Sequence, residues 1–152
     1  MNDKIKKGIE TTILMNELQS TNEISDFLKK NIHYMNTPSI AEYLNNLITE
    51  RGLKKSKVIA DTNLTREYGY EILSGKKKKK YNQNILLAFA LALHLNIDET
   101  QHLLKYGQVS ELYPKRERDS IIIFAIKKGF TVIQTDELLA QNGYEDDIIS
   151  SL

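Results

Sequence analysis

The sequence predicts an all-α protein. No segment sustains the two-residue apolar alternation of a strand, whereas apolar residues recur at helical spacing along the whole chain. The two prolines and six of the seven glycines fall between these helical patterns or at their edges. Ser, Thr, Asn and Asp stand just ahead of several of them, where side-chain oxygens cap helices.

In chain order, residues 9–33 carry Ile13, Leu14, Leu18, Ile24, Phe27, Leu28 and Ile32. They predict two short helices broken near Ser20 to Asn22, with Asn22 as the second N-cap. Thr37 is expected to cap the next helix, with Pro38 at the first helical position, where its missing N–H costs nothing. Ile40, Tyr43, Leu44, Leu47 and Ile48 form its apolar stripe, and Gly52 ends it.

Two short helices follow, Lys54 to Asp61 and Thr65 to Ser74, joined by a tight turn. Ser56 is a candidate cap for the first and Thr65 for the second, which Gly75 closes. Asn84 to Leu95 is apolar on nearly every side and reads as the central buried helix. Asp98 and Gln101 suggest a capping box for Asp98 to Tyr106. After Tyr113-Pro114 a helix is expected from Arg116 to Lys128, ended by Gly129. Thr131 and Gln134 box the last helix, Thr131 to Gln141, closed by Asn142-Gly143. Residues 144–152 form an acidic tail, read as a short final turn.

At 152 residues the chain suffices for one sizeable core or a small domain with an extension. It has no Cys, which excludes disulfides and thiolate metal sites and fits a cytoplasmic location. Residues 1–12 lack the apolar segment of a signal peptide, and Ile85 to Leu95 is too short to span a bilayer. No partner membrane is expected.

The net charge of +1 conceals an asymmetry. Residues 51–81 hold ten Lys/Arg against three acids, a net of +7, and the rest of the chain sums to −6. Five of these cations are consecutive, Lys76 to Lys80. Such an island is the electrostatic footprint of a nucleic-acid face, the alternative being a solvated lysine-rich loop.

Catalytic patterns are missing. His33, His94 and His102 do not fall in a metal-ligand spacing, and His94 reads as a packed or rim histidine in an apolar helix. No phosphate-cradling glycine loop or dinucleotide fingerprint occurs. Asp136-Glu137 and Glu145 to Asp147 read as solvated charge near helix starts or in the tail. Neither enzymatic activity nor a cofactor is expected.

The stretch LKKSKVIADTNLTREYGYEILSG, Leu53 to Gly75, resembles the helix-turn-helix of the XRE family, the lambda-repressor-like DNA-binding domains. Val58, Leu64 and Ile72 match its apolar positions, Thr65 its small hydroxyl at the start of the recognition helix, and Gly75-Lys76 its closing G-K. Asn63 stands where the family often has Gly, and Asn tolerates a left-handed backbone. The likeness extends from Ser39 to about Leu104, and that of the flanks covers most of the chain. The implied organisation is an N-terminal helical arm (1–36), a helix-turn-helix domain (37–107) and a C-terminal helical extension (108–152). Two departures are notable: Ile59 replaces the usual small Ala, and Gly69 the usual large aliphatic. Either the two residues face each other, conserving volume, or the helices cross at another angle.

The resemblance implies sequence-specific binding of double-stranded DNA in bacterial or phage-like transcriptional regulation. The base-reading positions fall on Arg66, Glu67 and Glu71, with Arg66 suited to guanine and a glutamate to cytosine. Glu67 and Glu71 also read as a solvated face. Tyr68 and Tyr70 offer stacking or phosphate bonding, Tyr68 alternatively packing against the domain. Lys55 and the loop Lys76, Lys77, Lys78, Lys79 and Lys80 fall where the family contacts the sugar–phosphate backbone.

The competing function is a protein-interaction adaptor, since fold alone does not settle function. The IIIFAI helix with Phe124, Phe130 and Val132 is either a second small core or a face for a homodimer or protein partner.

Overall fold

The structure, a computed structural model, describes residues 11–32, 38–76 and 81–150. Among them are nine α-helices and no strand: α1 (Thr11–Ser20), α2 (Ile24–Asn31), α3 (Ile40–Glu50), α4 (Lys55–Asp61), α5 (Arg66–Ser74), α6 (Gln83–Ala92), α7 (Ile97–Tyr106), α8 (Glu117–Lys128) and α9 (Val132–Gln141). Thr37, His33 and Lys77 to Lys80 lie outside the described residues.

The chain divides into two compact units, Met1–Ser39 and Ile40–Leu152. In the first, α1 and α2 pack on each other. The Asn31 amide donates to the Glu17 carboxylate (3.1 Å), and Lys30 lies 3.3 Å from it. The Asn31 hydrogen bond, helped by Lys30, lowers the Glu17 pKa from its ordinary value. Asn22 is not the cap of α2. The Phe27 N–H bonds the Glu23 carbonyl, so the helix opens one residue later, with Glu23 at the N-cap.

The second unit is built around α6. Its residues from Ile85 to Ala92 are all buried, and it packs against α4, α7 and α9. An apolar helix with three neighbours has no face left for water, which is why its sequence shows no polar stripe. Asn82 caps it, accepting from the Ile85 N–H at 2.8 Å. The helix ends at Ala92, before the expected Leu95. His94 follows it, exposed and in a left-handed turn (φ 55°), rather than packed within an apolar helix. There the Leu95 N–H reaches back to the Ala90 carbonyl and closes the helix end.

Two further starts differ from expectation. Helix α3 begins at Ile40, two residues beyond Pro38. The first turn of a helix has no intrahelical N–H partners, so a shift of this size leaves the apolar stripe unaltered. Helix α7 is boxed by Asn96 and Glu99, not Asp98 and Gln101. The Asn96 carbonyl already accepts the first helical bond, from Thr100. Gln101 instead clamps the Leu112 backbone, donating to its carbonyl and accepting from its N–H, both at 2.7 Å. The Thr131–Gln134 box of α9 forms as expected.

Helices α8 and α9 pack on each other, α8 also on α7 and α9 on α6. They bury Ile122, Ala125, Ile126, Val132 and Leu139. Phe124 and Ile133 remain about half exposed. The Phe124 ring meets Phe130 edge-on, and the Lys128 ammonium sits 5.6 Å from its centroid.

Candidate nucleic-acid interface

The surface with chemistry to offer is the pair α4 and α5. Both helices are short, and their ends fix them. Helix α4 starts at N-cap Lys54, whose carbonyl accepts from Val58. Ser56 therefore lies inside the helix, exposed, and does not cap it. Thr65 does cap α5, its hydroxyl oxygen accepting from the Tyr68 N–H at 3.3 Å. At the other end Gly75 takes a left-handed conformation (φ 74°), which a side chain would strain. The Asn45 amide donates to the Leu73 carbonyl (2.8 Å) and so ties the last turn of α5 to α3.

The turn is held by a residue that carried no expectation. Thr62 is fully buried, and its hydroxyl donates to the Ile59 carbonyl (2.5 Å) while accepting from the Leu64 N–H (3.3 Å). Asn63 then adopts a left-handed backbone (φ 59°), and Leu64 turns into the core. One more contact reaches this turn: the Asn63 amide donates to the Ser150 hydroxyl oxygen at 3.2 Å.

Ile59 and Gly69 face each other where α4 and α5 cross. A Cβ placed on Gly69 would stand 2.5 Å from the Ile59 Cγ2. The large side chain on one helix fills the space left by the small residue on the other, as volume conservation requires.

With Gly69, Ile72 and Leu73 turned inward, α5 exposes Arg66, Glu67 and Glu71 to solvent and Tyr70 partly. Tyr68 is half-buried. The Arg66 guanidinium lies 5.7 Å from the Tyr70 ring centroid. Arg66, Tyr70 and Ser56 share the rim of a hollow of about 360 Å3, floored by Ile59, Ala60 and Leu64. Three of the expected site residues are thus brought together. Lys55, Thr65 and Lys76 are exposed nearby in the chain, and Lys77 and Lys78 fall outside the described residues. Lys57 is engaged by Asp61 at 2.9 Å, one helical turn along α4, which offsets part of its charge.

Asp136 departs most from expectation. It is buried, not solvated, and its carboxylate accepts from the backbone N–H of Ile149 (2.7 Å) and Ser150 (3.2 Å) and from the Ser150 hydroxyl (2.6 Å). A buried carboxylate is tolerable only when its lone pairs are occupied, and three donors occupy them here.

Among the described residues no group of three His, Asp or Glu side chains is disposed to hold a metal ion, and no helix is long and apolar enough to cross a membrane. No protein-family model, curated protein or solved structure matches the chain.

Proposed function

We propose that this protein is a sequence-specific DNA-binding transcriptional regulator of the lambda-repressor-like (XRE) type, with α5 as the helix that enters the major groove. One observation carries the reading. Helix α5 is capped by Thr65, closed by left-handed Gly75 and buried along one stripe only, so it offers Arg66, Glu67, Tyr70 and Glu71 outward from within the +7 segment. Recognition helices dock in this way, with short side chains at their start near phosphate and longer ones on base edges. In this reading Lys55 and the loop Lys76 to Lys80 hold phosphates, Ser56 and Thr65 add neutral bonds to the DNA backbone, and Arg66 reads guanine through paired hydrogen bonds.

The test is selection from a random duplex pool at low salt, followed by a salt titration of the enriched duplex. The binding constant should fall steeply with salt, and Lys77→Ala, Lys78→Ala and Lys79→Ala should each remove about one unit of slope. Failure to retain any duplex at low salt would remove the reading.

A second reading keeps one observation of its own. Glu67 and Glu71 are exposed on the same helix face, and phosphates would repel them. The same pair of helices carries the hollow lined by Ile59, Ala60 and Leu64, whose apolar character suits a protein segment as an adaptor would bind it. A stable protein complex formed without any salt-dependent duplex binding would favour it.

A further inference from the structure

The last described residues of the chain close on the turn between α4 and α5 through a continuous relay. Asn63 donates to the Ser150 oxygen, and the Ser150 hydroxyl donates in turn to Asp136 on α9. A hydroxyl can accept and donate at once, so one atom joins the turn to a helix far along the sequence. The relay is anchored on both sides. Ile149 is buried beside it, at 1% exposure, and the backbone of both Ile149 and Ser150 is bonded to the same Asp136 carboxylate. Two residues upstream of Ile149, Asp147 is gripped by Arg118, whose Nε donates to its carbonyl (2.8 Å) and whose other end donates to Asn84 on α6 (2.9 Å).

Asn63 is the residue this arrangement needs. The left-handed backbone there would suit Gly at least as well, but Gly has no side chain to meet Ser150. Thr62 holds the other side of the turn, so the two contacts flank the point at which α5 begins.

We infer that Asp136 and Ser150 are positioning residues for α5, which makes the C-terminal segment a working part of the α4–α5 surface. The consequence for base preference rests on the DNA-binding reading; the relay itself does not. In the full chain, Ser150→Ala should speed amide hydrogen exchange at Asn63 and Leu64, whose N–H groups bond the Ala60 carbonyl and the Thr62 hydroxyl, by about two- to tenfold, the range one hydrogen bond gives. It should also shift the Asn63 side-chain amide resonance, and α6 exchange should stay unchanged. Ser150→Thr, which keeps the hydroxyl, should restore wild-type behaviour. Asn63→Gly should disconnect the relay from its other end, leaving the C-terminal backbone bonds to Asp136 in place. On a selected duplex, Ser150→Ala should blunt discrimination among single-base variants at an unchanged salt slope. Unaltered turn exchange and an unaltered Asn63 resonance in Ser150→Ala would overturn the inference. So would faster turn exchange with intact base discrimination, which would leave the relay a purely structural tie. If wild type and variant both ignore every duplex, the DNA-binding reading fails, and exchange still decides whether the relay positions the turn.

Discussion

Helix α5 buries three of its nine residues, whereas α6, next in the chain, buries eight of its ten. Their sequences announce the difference. REYGYEILS alternates charge, ring and aliphatic around the helix, and QNILLAFALA has almost nothing to show water. A helix enclosed on all sides draws its stability from apolar area. One held along a single stripe depends on its caps and on the few crossings that stripe makes, for α5 those with α3 and α4. This division leaves Arg66, Glu67, Glu71 and Ser74 of α5 exposed. It also implies that substitutions in the two helices should fail in different ways.

The largest loss is expected in α6. Phe89 is fully buried, so Phe89→Ala should cost about 3–5 kcal/mol of unfolding free energy, measured by denaturant titration. A loss under about 1 kcal/mol would mean that α6 is not the centre of the core.

In α5 the vulnerable point is the crossing with α4. Gly69→Ile should overpack it against Ile59 and cost about 1–3 kcal/mol. Adding Ile59→Ala should recover much of the loss, because the two side chains share one space. A double mutant no more stable than the sum of its parts would uncouple them.

That crossing was legible in the sequence because it combines a local spacing with a size swap between two neighbouring helices. The cap at Thr65, the stop at Gly75, the box at Thr131 and the apolar α6 were legible for the same reason: each signal lies within a few residues. The misplaced box of α7 shows the limit of such signals. Asn96-Ile97-Asp98-Glu99 and Asp98-Glu99-Thr100-Gln101 both satisfy the pattern, and the choice falls to the helix that begins at Ile97. Asp136 and Ser150 were not legible at all. Asn63 and Ser150 meet across most of the second unit, and periodicity carries no information about such pairings.

A third expected outcome concerns pH on the core side. Tyr43 is 1% exposed and stacks on Tyr106 with ring centroids 5.2 Å apart. Burial is the chief cause that pushes its phenol up to about 12, with the negative charge of Glu99 adding to it. Above its ordinary value near 10, the unfolded chain loses this proton while the folded chain keeps it, so the folded state binds more protons. Stability from this group is fully present below pH 10 and declines as pH rises toward about 12, by roughly 2 kcal/mol. Tyr43→Phe should remove that part of the alkaline decline in a denaturation series; an identical decline in the variant would assign it elsewhere.

The smallest effect on stability is expected at Arg66, and it tests what α5 is for. Its side chain is exposed, and its one described contact is the approach to the Tyr70 ring. Arg66→Ala should therefore change unfolding free energy by no more than about 0.5 kcal/mol, as surface substitutions do. On a preferred duplex the same change should cost roughly 1–3 kcal/mol of binding and relax preference at one base pair, because Ala has no donor for guanine O6 and N7. Lys78→Ala should weaken all duplexes alike and leave the preference intact, since a phosphate contact carries no base information. Binding of wild type and both variants across all single-base changes in the selected duplex separates the two roles. Identical rankings for wild type and Arg66→Ala would confine Arg66 to phosphate. A stability loss at Arg66 as large as that of Gly69→Ile would mean that the outer face of α5 also belongs to the fold, and the contrast with α6 would no longer hold.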